Sequence, residues 1–375
     1  MIEVIQNTPY GQTKYFQKFY PLDHPHGRHQ LEQWLGVDLA AVATIQHQYE
    51  WRAMSPERCL FLDIETTGLG DDADTIAFLV GTGRFVENGF ELREYFVQTP
   101  EAEQAMLHAL RELIEQHTAL VTFNGRGFDV PILEARYRVN NQRWRLSQMP
   151  NLDLLMLARL LWKKRLPSRR LGALETDILG VQRTNEDVPG WMIPQLYYAY
   201  LNNNDMTPIR HVAYHNEIDV LSMVTLGAEL LKTFQQPDCD NLPVDDLICL
   251  GKWYHGLHLH PEAERVWMAA LQRATLAEDY SLIGKKLTAL FRKDKREYLL
   301  VAIYERWQSI DNTDPTPCIE LARHYESHDL DQALRWAHVA QQVIESLPPT
   351  PGNGLKLGAV QNRIKRIQKK LGKRK

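Results

Sequence analysis

Two carboxylates, Asp63 and Glu65, end the apolar run Phe61-Leu62-Asp63-Ile64-Glu65-Thr66-Thr67-Gly68-Leu69. If that run is a strand, its side-chain period of two puts both acids on one face, about 6.6 Å apart along the chain. Neighbouring carboxylates repel unless something cationic lies between them, and a divalent metal is the usual solution. Asp-x-Glu alone describes a solvent-facing pair at a strand end equally well, so the rest of the chain has to supply the context. One piece is Val121-Thr122-Phe123-Asn124-Gly125-Arg126-Gly127-Phe128-Asp129-Val130-Pro131, where Asp129 would start a helix directly after a strand lying beside the first. Its carboxylate then points to the same spot, or caps the helix instead. Another is Tyr214-His215-Asn216-Glu217-Ile218-Asp219, which sets Asp219 on an amphipathic helix with His215 one turn earlier on the same face.

The elements that must position these groups are readable from pattern. Short runs rich in β-branched and aromatic residues, Cys59 to Leu62, Ile76 to Val80, Phe90 to Val97 and Leu120 to Phe123, predict strands. A further short strand ending near Asp153 would complete a five-stranded mixed sheet. Between the third and fourth strands, Ala105, Leu107, Leu110, Leu113 and Ile114 recur at helical spacing behind Pro100, a residue suited to a helix start. The polar, turn-rich stretch Gln235 to Pro243 marks a boundary, beyond which nearly every segment reads as helix. The expected organisation is an unassigned N-terminal extension over 1–50, an α/β domain over 51–235 and an all-α part over 236–375.

In that last part the segments starting at Pro261, Arg296 and Asp331 align without gaps. Ala263, Tyr298 and Ala333 are then each 35 apart (298 − 263 and 333 − 298). The period is close to the roughly 34-residue tetratricopeptide unit, so three degenerate helical hairpins are expected. Val360, Ile364, Ile367 and Leu371 form one face of a last helix, a cap for the stack. His255, His258 and His260 sit close in sequence at a hairpin turn but lack a complete metal ligand set.

With 375 residues, 44% hydrophobic and 24% charged, the chain is long enough for two cores. The formal charge of −4 excludes a uniformly basic nucleic-acid coat but not a local basic surface. Lys163 to Arg170 and Arg363 to Lys375 are such runs, either meeting phosphates or forming solvated faces. The four cysteines lie far apart with no C-x-x-C pair, which speaks against disulfides and zinc. No long apolar run and no signal-peptide pattern are found, so a soluble, cytoplasmic protein without a membrane partner is expected.

The order Asp63, Glu65, Asn124 to Asp129, then an aromatic-histidine pair before Asp219, resembles the DEDD 3′ to 5′ exonuclease superfamily of ribonuclease H-like fold. The run between them is similar to the YprB-like branch, which joins this domain to tetratricopeptide repeats. Its marks are Leu171-Gly172-Ala173-Leu174-Glu175, Leu179-Gly180, Arg183, Asp187-Val188-Pro189-Gly190, Pro194, Tyr197-Tyr198, and His215-Asn216 before Asp219. The resemblance implies that Asp63, Glu65, Asp129 and Asp219 hold two Mg²⁺ or Mn²⁺ ions for an in-line phosphoryl displacement. It implies that Thr66, Thr67, Gly68 and Leu69, with Asn124 and Phe128, meet the terminal nucleotide of a single-stranded 3′ end. DNA is favoured over RNA in this reading, and the repeats would take a protein partner. A catalytically idle scaffold binding nucleic acid and a partner is the alternative.

In one respect the chain departs from the family. One branch has histidine five residues before the last aspartate and another has tyrosine four before it, whereas here Tyr214 holds the first spacing and His215 the second. His215 is favoured as the base, since an imidazole with a pKa of about 6.5 activates water at neutral pH and a phenol at about 10 mainly positions it. Tyr214 stays as the alternative.

Overall fold

The computed structural model describes residues 2–68, 70 and 74–373. The chain divides into two units, Met1–Pro237 and Asp238–Lys375. The first opens with a hairpin, β1 (Ile2–Thr8) and β2 (Gly11–Tyr20), a small ribbon of β3 (Pro25–His26) and β4 (His29–Gln30), and helix α1 (Ala40–Gln46). Then come β5 (Cys59–Thr66), β6 (Ala77–Val86), β7 (Gly89–Phe96), α2 (Glu103–Ile114), β8 (Ala119–Thr122), α3 (Asp129–Val139) and β9 (Asn151–Asp153). The unit closes with α4 (Leu154–Leu161), α5 (Leu171–Leu174) running into a π-turn over Glu175–Leu179, α6 (Ile193–Asn203) and α7 (Thr207–Gln235).

The sheet has seven strands in the order β1-β2-β7-β6-β5-β8-β9, not the five expected. Five of them are the strands read from the sequence. The other two are the N-terminal hairpin, which adds antiparallel to the free edge of β7 with Tyr15 opposite Tyr95 and Phe19 opposite Glu91. An unpaired edge exposes a row of N–H and C=O groups, and β2 satisfies it while Tyr15 and Tyr20 are buried. The sheet is mixed because β8 runs parallel to both β5 and β9, while β6 and β7 are antiparallel. The parallel trio brings the ends of β5, β8 and β9 to one side, where Asp63, Glu65 and the start of α3 lie.

Packing on the sheet follows from side-chain spacing. Met106, Leu107, Leu110, Leu113 and Ile114 of α2 join Leu60, Leu62, Ile64, Phe78 and Val80 in one core cluster. Helix α7 contacts β5 and β6. The ribbon at β3 is tied to the same helix by His26, whose buried imidazole Nε2 lies 2.8 Å from Ser222 Oγ.

The second unit holds three helix pairs and a final helix. They are α8 (Val244–Gly256) with α9 (His260–Arg273), α10 (Ala277–Lys293) with α11 (Leu300–Ile310), and α12 (Thr316–Tyr325) with α13 (Leu330–Ser346), followed by α14 (Pro351–Gly372). The even period of 35 does not survive. Tyr298 lies in a 3₁₀ turn before α11 and is 70% exposed, whereas Ala263 and Ala333 are fully buried. Burial instead matches Ala263, Val266, Trp267 and Ala270 with Leu300, Ile303, Tyr304 and Trp307, a shift of 37 (300 − 263), and these with Ala333, Ala337 and Ala340 through a shift of 33 (333 − 300). Close crossings explain the small residues: a Cβ on Gly251 would lie 2.2 Å from Trp267 Nε1, and one on Gly284 2.7 Å from Trp307 Cε3. Val360 and Ile364 of α14 pack on Ala337, Ala340 and Ile344 of α13, and Ile367 on Leu330 and Ala333. Part of the basic tail is spent internally, since Arg366 Nη2 and Lys370 Nζ reach Glu326 at 2.7 and 2.8 Å. Among the described residues, no helix is long and apolar enough to cross a membrane.

The burial of His26 has a pH signature. Loss of solvation first, then neighbouring positive groups, lower its pKa from 6.5 to about 4. The folded state therefore holds this imidazole neutral while the unfolded chain protonates it, so stability is complete above about pH 6.5 and falls as the pH drops towards about 4, by on the order of 3 kcal/mol. Urea midpoints of His26→Gln should be lower at neutral pH and flatter across that window than those of the wild type; parallel curves would remove His26 as the source.

Candidate active site

Each acidic residue reaches the site through its own element. Asp63 and Glu65 alternate with buried Leu62, Ile64 and Thr66 on β5, so both face the same side. The pairing of β5 with β6 shifts between Glu65 and Thr66, a bulge that ends the ladder just beyond the acids. Asp129 is the first residue of α3 and does not cap it; its Oδ1 accepts the Ile64 backbone N–H at 3.1 Å, between the two β5 acids. Asp219 comes from α7.

Helix α7 sits unusually close to the sheet. Gly81, opposite Asp63 in the register, leaves room for Asn216, whose Oδ1 would be 1.7 Å from a Cβ at that position. Asn216 is fully buried, and its Nδ2 donates to Asp63 Oδ2 at 2.7 Å. Its Oδ1 is buried without a hydrogen-bond partner, an unsatisfied hard oxygen beside the acid pair.

The helix already includes positions 214 and 215, and they point apart as its pitch of about 100° per residue requires. His215 Nε2 lies 3.7 Å from Asp219 Oδ2 and its Nδ1 2.7 Å from Asp187 Oδ1. Nδ1 meets two groups, the acceptor Asp187 Oδ1 at 2.7 Å and the donor Arg183 Nη1 at 3.0 Å; the shorter, carboxylate contact favours the proton on Nδ1, which leaves Nε2 as the basic nitrogen facing Asp219. Tyr214 turns away: its hydroxyl accepts the Thr184 N–H at 3.1 Å, and the residue lines a separate cavity with Lys18 and Glu217.

Arg183 lies at the centre of the cluster. Its Nε and Nη2 grip both oxygens of Glu175 at 2.7 and 2.6 Å, its Nη2 also donates to Asp219 Oδ1, and its Nη1 reaches Asp187 Oδ1 at 3.3 Å. Glu175 accepts further from Ser222 Oγ at 2.8 Å, the hydroxyl that His26 meets. A chain of polar contacts thus runs from the N-terminal ribbon to Asp219. Glu175, Arg183, Asp187 and Asn216 stand in the motif run of the sequence, which does not by itself assign them a role. The one available signal was their polarity: charged residues at intervals of eight and four, next to glycines and prolines that break helices.

The electrostatics record the crowding. Burial first, then the charges of Asp219 and Asp129, hold the carboxyls of Asp63 and Glu65 well above the usual carboxylate range, with Arg183 opposing. Burial likewise pushes Asp129 up to about 7, against the hydrogen bond from Ile64. The four carboxyls therefore feel one another. Even so, no three His, Cys, Asp or Glu side chains among the described residues are grouped so as to enclose a metal ion. Arg183 and Asn216 each occupy one carboxylate oxygen, Oδ1 of Asp219 and Oδ2 of Asp63.

The expected nucleotide-binding residues divide. Asn124, in a left-handed conformation with φ of 65°, lines a cleft of about 410 Å³ together with Asp63 and Asp219. Phe128 packs against the hydrophobic core, and the aromatic residue lining the cleft is Phe123. Thr66 donates to Gly68 O, and Thr67 exchanges hydrogen bonds with Ile76, so both hydroxyls close the turn after β5. Leu69 lies outside the described residues. Asp153 serves local backbone, accepting from Asn124, Arg126 and Leu155 N–H groups at 2.9, 3.2 and 3.1 Å.

Residues 60–231 match the model of the RNase_H superfamily, and this segment is an RNase H-like superfamily domain. The uncharacterized protein YprB of Bacillus subtilis (strain 168) is 28% identical over 334 residues, spanning 87% of this chain and 78% of that protein. Among solved structures, the family B DNA polymerase of the hyperthermophilic archaeon Pyrobaculum calidifontis is similar at 15% identity and a TM-score of 0.36, over 62% of this chain and 29% of that one.

If Asp187 fixes the tautomer of His215, removing its carboxylate without changing its size should release the ring. In Asp187→Asn the imidazole carbon and nitrogen resonances observed by NMR should indicate a mixture of tautomers, whereas the wild type should hold the proton on Nδ1. Tyr214→Phe should leave the ring unchanged, and a wild-type spectrum from Asp187→Asn would end this assignment.

Proposed function

We propose that the chain is a metal-dependent nuclease of the DEDD 3′ to 5′ exonuclease type, with Asp63, Glu65, Asp129 and Asp219 as metal ligands and His215 as the general base. The observation that carries the reading is the convergence of four carboxyls from β5, α3 and α7 beside the cleft that Asp63 and Asp219 line, with Asp63, Glu65 and Asp129 raised by burial and by the charges of their neighbours. Such a cluster is costly unless cations neutralise it. The donor chemistry fits: hard oxygens without a cysteine, plus an unpaired Asn216 Oδ1, suit Mg²⁺ or Mn²⁺ better than zinc. Two such ions would supply Lewis-acid stabilisation of the attacking and leaving oxygens of a phosphodiester.

The chain's own residues do the rest. His215 Nε2 is placed to accept a proton from water, and Asp187 compensates the imidazolium that results. Arg183 balances Asp219 until other cations take over that role. The substrate in this reading is a single-stranded 3′ end, with DNA cut in preference to RNA. The helix pairs of the second unit are read as tetratricopeptide-like repeats that hold a protein partner.

A second reading, a nuclease-fold scaffold without catalysis, draws its support from Arg183, which already neutralises Asp219, and from the lack of a ready metal cage among the described residues. End-labelled DNA and RNA, single and double stranded, incubated with the full chain in Mg²⁺ or Mn²⁺ separate the two. The nuclease reading expects stepwise shortening from the 3′ end, abolished by chelator. Asp129→Asn and Asp219→Asn should each lose at least about two orders of magnitude in rate with unchanged melting behaviour. Intact substrate under every condition would leave the scaffold. His215→Ala should cost roughly 10² to 10⁴ in rate and Tyr214→Phe little; the reverse order would transfer the role to the tyrosine.

A further inference from the structure

The cleft lined by Asp63 and Asp219 is also lined by arginines. Arg159 projects from α4, and Arg169 and Arg170 from the connection that leads into α5; all three line the same cleft as Asp63 and Asp219. The connection is folded, not loose: Leu166 and Trp162 are buried, and the Leu166 N–H donates to Trp162 O at 3.0 Å. Arg169 is braced on it, its Nη1 donating to Leu166 O at 2.7 Å and Pro167 O at 3.2 Å. Its Nε is buried and has no partner. That nitrogen belongs to the edge with which a guanidinium grips two oxygens of one anion, so a braced residue of the cleft lining keeps a donor without an acceptor.

The rest of the lining narrows the anion. Phe123, half-buried at the end of β8, offers an aromatic face, and Asn124 beside it is exposed. A cleft of about 410 Å³ falls in the range of roughly 300–1,000 Å³ typical of ligand sites. Planar guanidiniums, an aromatic ring and a carboxylate pair lining one cleft match a phosphate whose base or sugar lies on the ring and whose neighbouring linkage meets the acids. A carboxylate ligand would leave most of these donors unused.

We propose that Arg159, Arg169 and Arg170 form the subsite for a backbone phosphate of a single nucleic-acid strand, with Phe123 as the stacking surface for its nucleotide. The identity of the anion as nucleic acid rests on the nuclease reading above. The basic run from Lys163 to Arg170 is thereby divided: its last two arginines face the cleft, while Lys163 is exposed and does not line it.

The test is fluorescence anisotropy of the full chain with a short labelled single strand in excess chelator, which reads binding without hydrolysis. Arg169→Gln and the double variant Arg159→Gln, Arg170→Gln should each weaken binding about tenfold or more and reduce the slope of log affinity against log salt by about 0.7 per arginine removed. Arg169→Lys, which keeps the charge and loses the fork, should fall between. Lys163→Gln removes one charge from the same segment and should change affinity far less. Equal losses for Lys163→Gln and Arg169→Gln, or an unchanged salt slope in the arginine variants, would overturn the subsite. Incubation of the same preparations with Mg²⁺ or Mn²⁺ separates the two ideas. A strand bound through the arginines but never cut by the wild type defeats the nuclease reading and leaves the subsite standing; a strand cut by the wild type with binding indifferent to the arginines defeats the subsite alone.

Discussion

Like charge held away from water is the constraint on which the first unit turns. Asp63, Glu65 and Asp129 are drawn together by strand and helix geometry, and burial denies them the solvent that would screen their repulsion. The described structure meets this in two ways: by raising the proton affinity of the carboxyls and by bringing one guanidinium, Arg183, against Asp219. Arg183 can stay there because Glu175 holds it in bidentate fashion and is itself satisfied by Ser222. A buried ion pair is tolerated when its remaining donors and acceptors are filled, and here the filling extends to His26 in the N-terminal ribbon.

That arrangement gives α7 two working faces. On one, Asn216 and Asp219 lie against β5 and β6, with His215 turned to Asp187. On another, Glu217 accepts from Lys18 at 2.8 Å and from Tyr20, so the N-terminal hairpin is anchored to the same helix that carries the site. The hairpin extends the sheet at one edge and ties that edge to the catalytic candidate helix. Arginines from α4 and the connection after it line the same cleft as Asp63 of β5 and Asp219 of α7, an arrangement suited to an anion that must meet both.

Much of the first unit is legible in local pattern. The strands β5 to β9 follow from short β-branched and aromatic runs, α2 from its apolar spacing behind Pro100, and the gathering of the acids from the placement of Asp63 and Glu65 on β5, Asp129 at the start of α3 and Asp219 one turn after His215 on α7. Three things are not legible. The hairpin of residues 2–20 pairs through backbone groups with a strand some seventy positions away, and backbone pairing leaves no residue-type signal. Tyr298 matches the even spacing of Ala263 and Ala333 but not their burial, because it lies in the turn before α11, whose buried face begins two residues later at Leu300. Phe128 and Phe123 stand five residues apart around one turn, and only packing decides which enters the core.

The sequence by itself determined which residues carry charge and on which elements and faces they stand, since strand and helix periods are local properties of the chain. What the tertiary structure decided is how those charges are compensated. Arg183 meets partners 8 residues before it and 4 and 36 after it, at Glu175, Asp187 and Asp219, and it stands in a segment that is neither helix nor strand, so no local period orients it towards them. Likewise the choice between Tyr214 and His215 depends on where α7 begins and how it is rotated against the sheet. Gly81 sets that approach from a different strand, by having no side chain where Asn216 must pass.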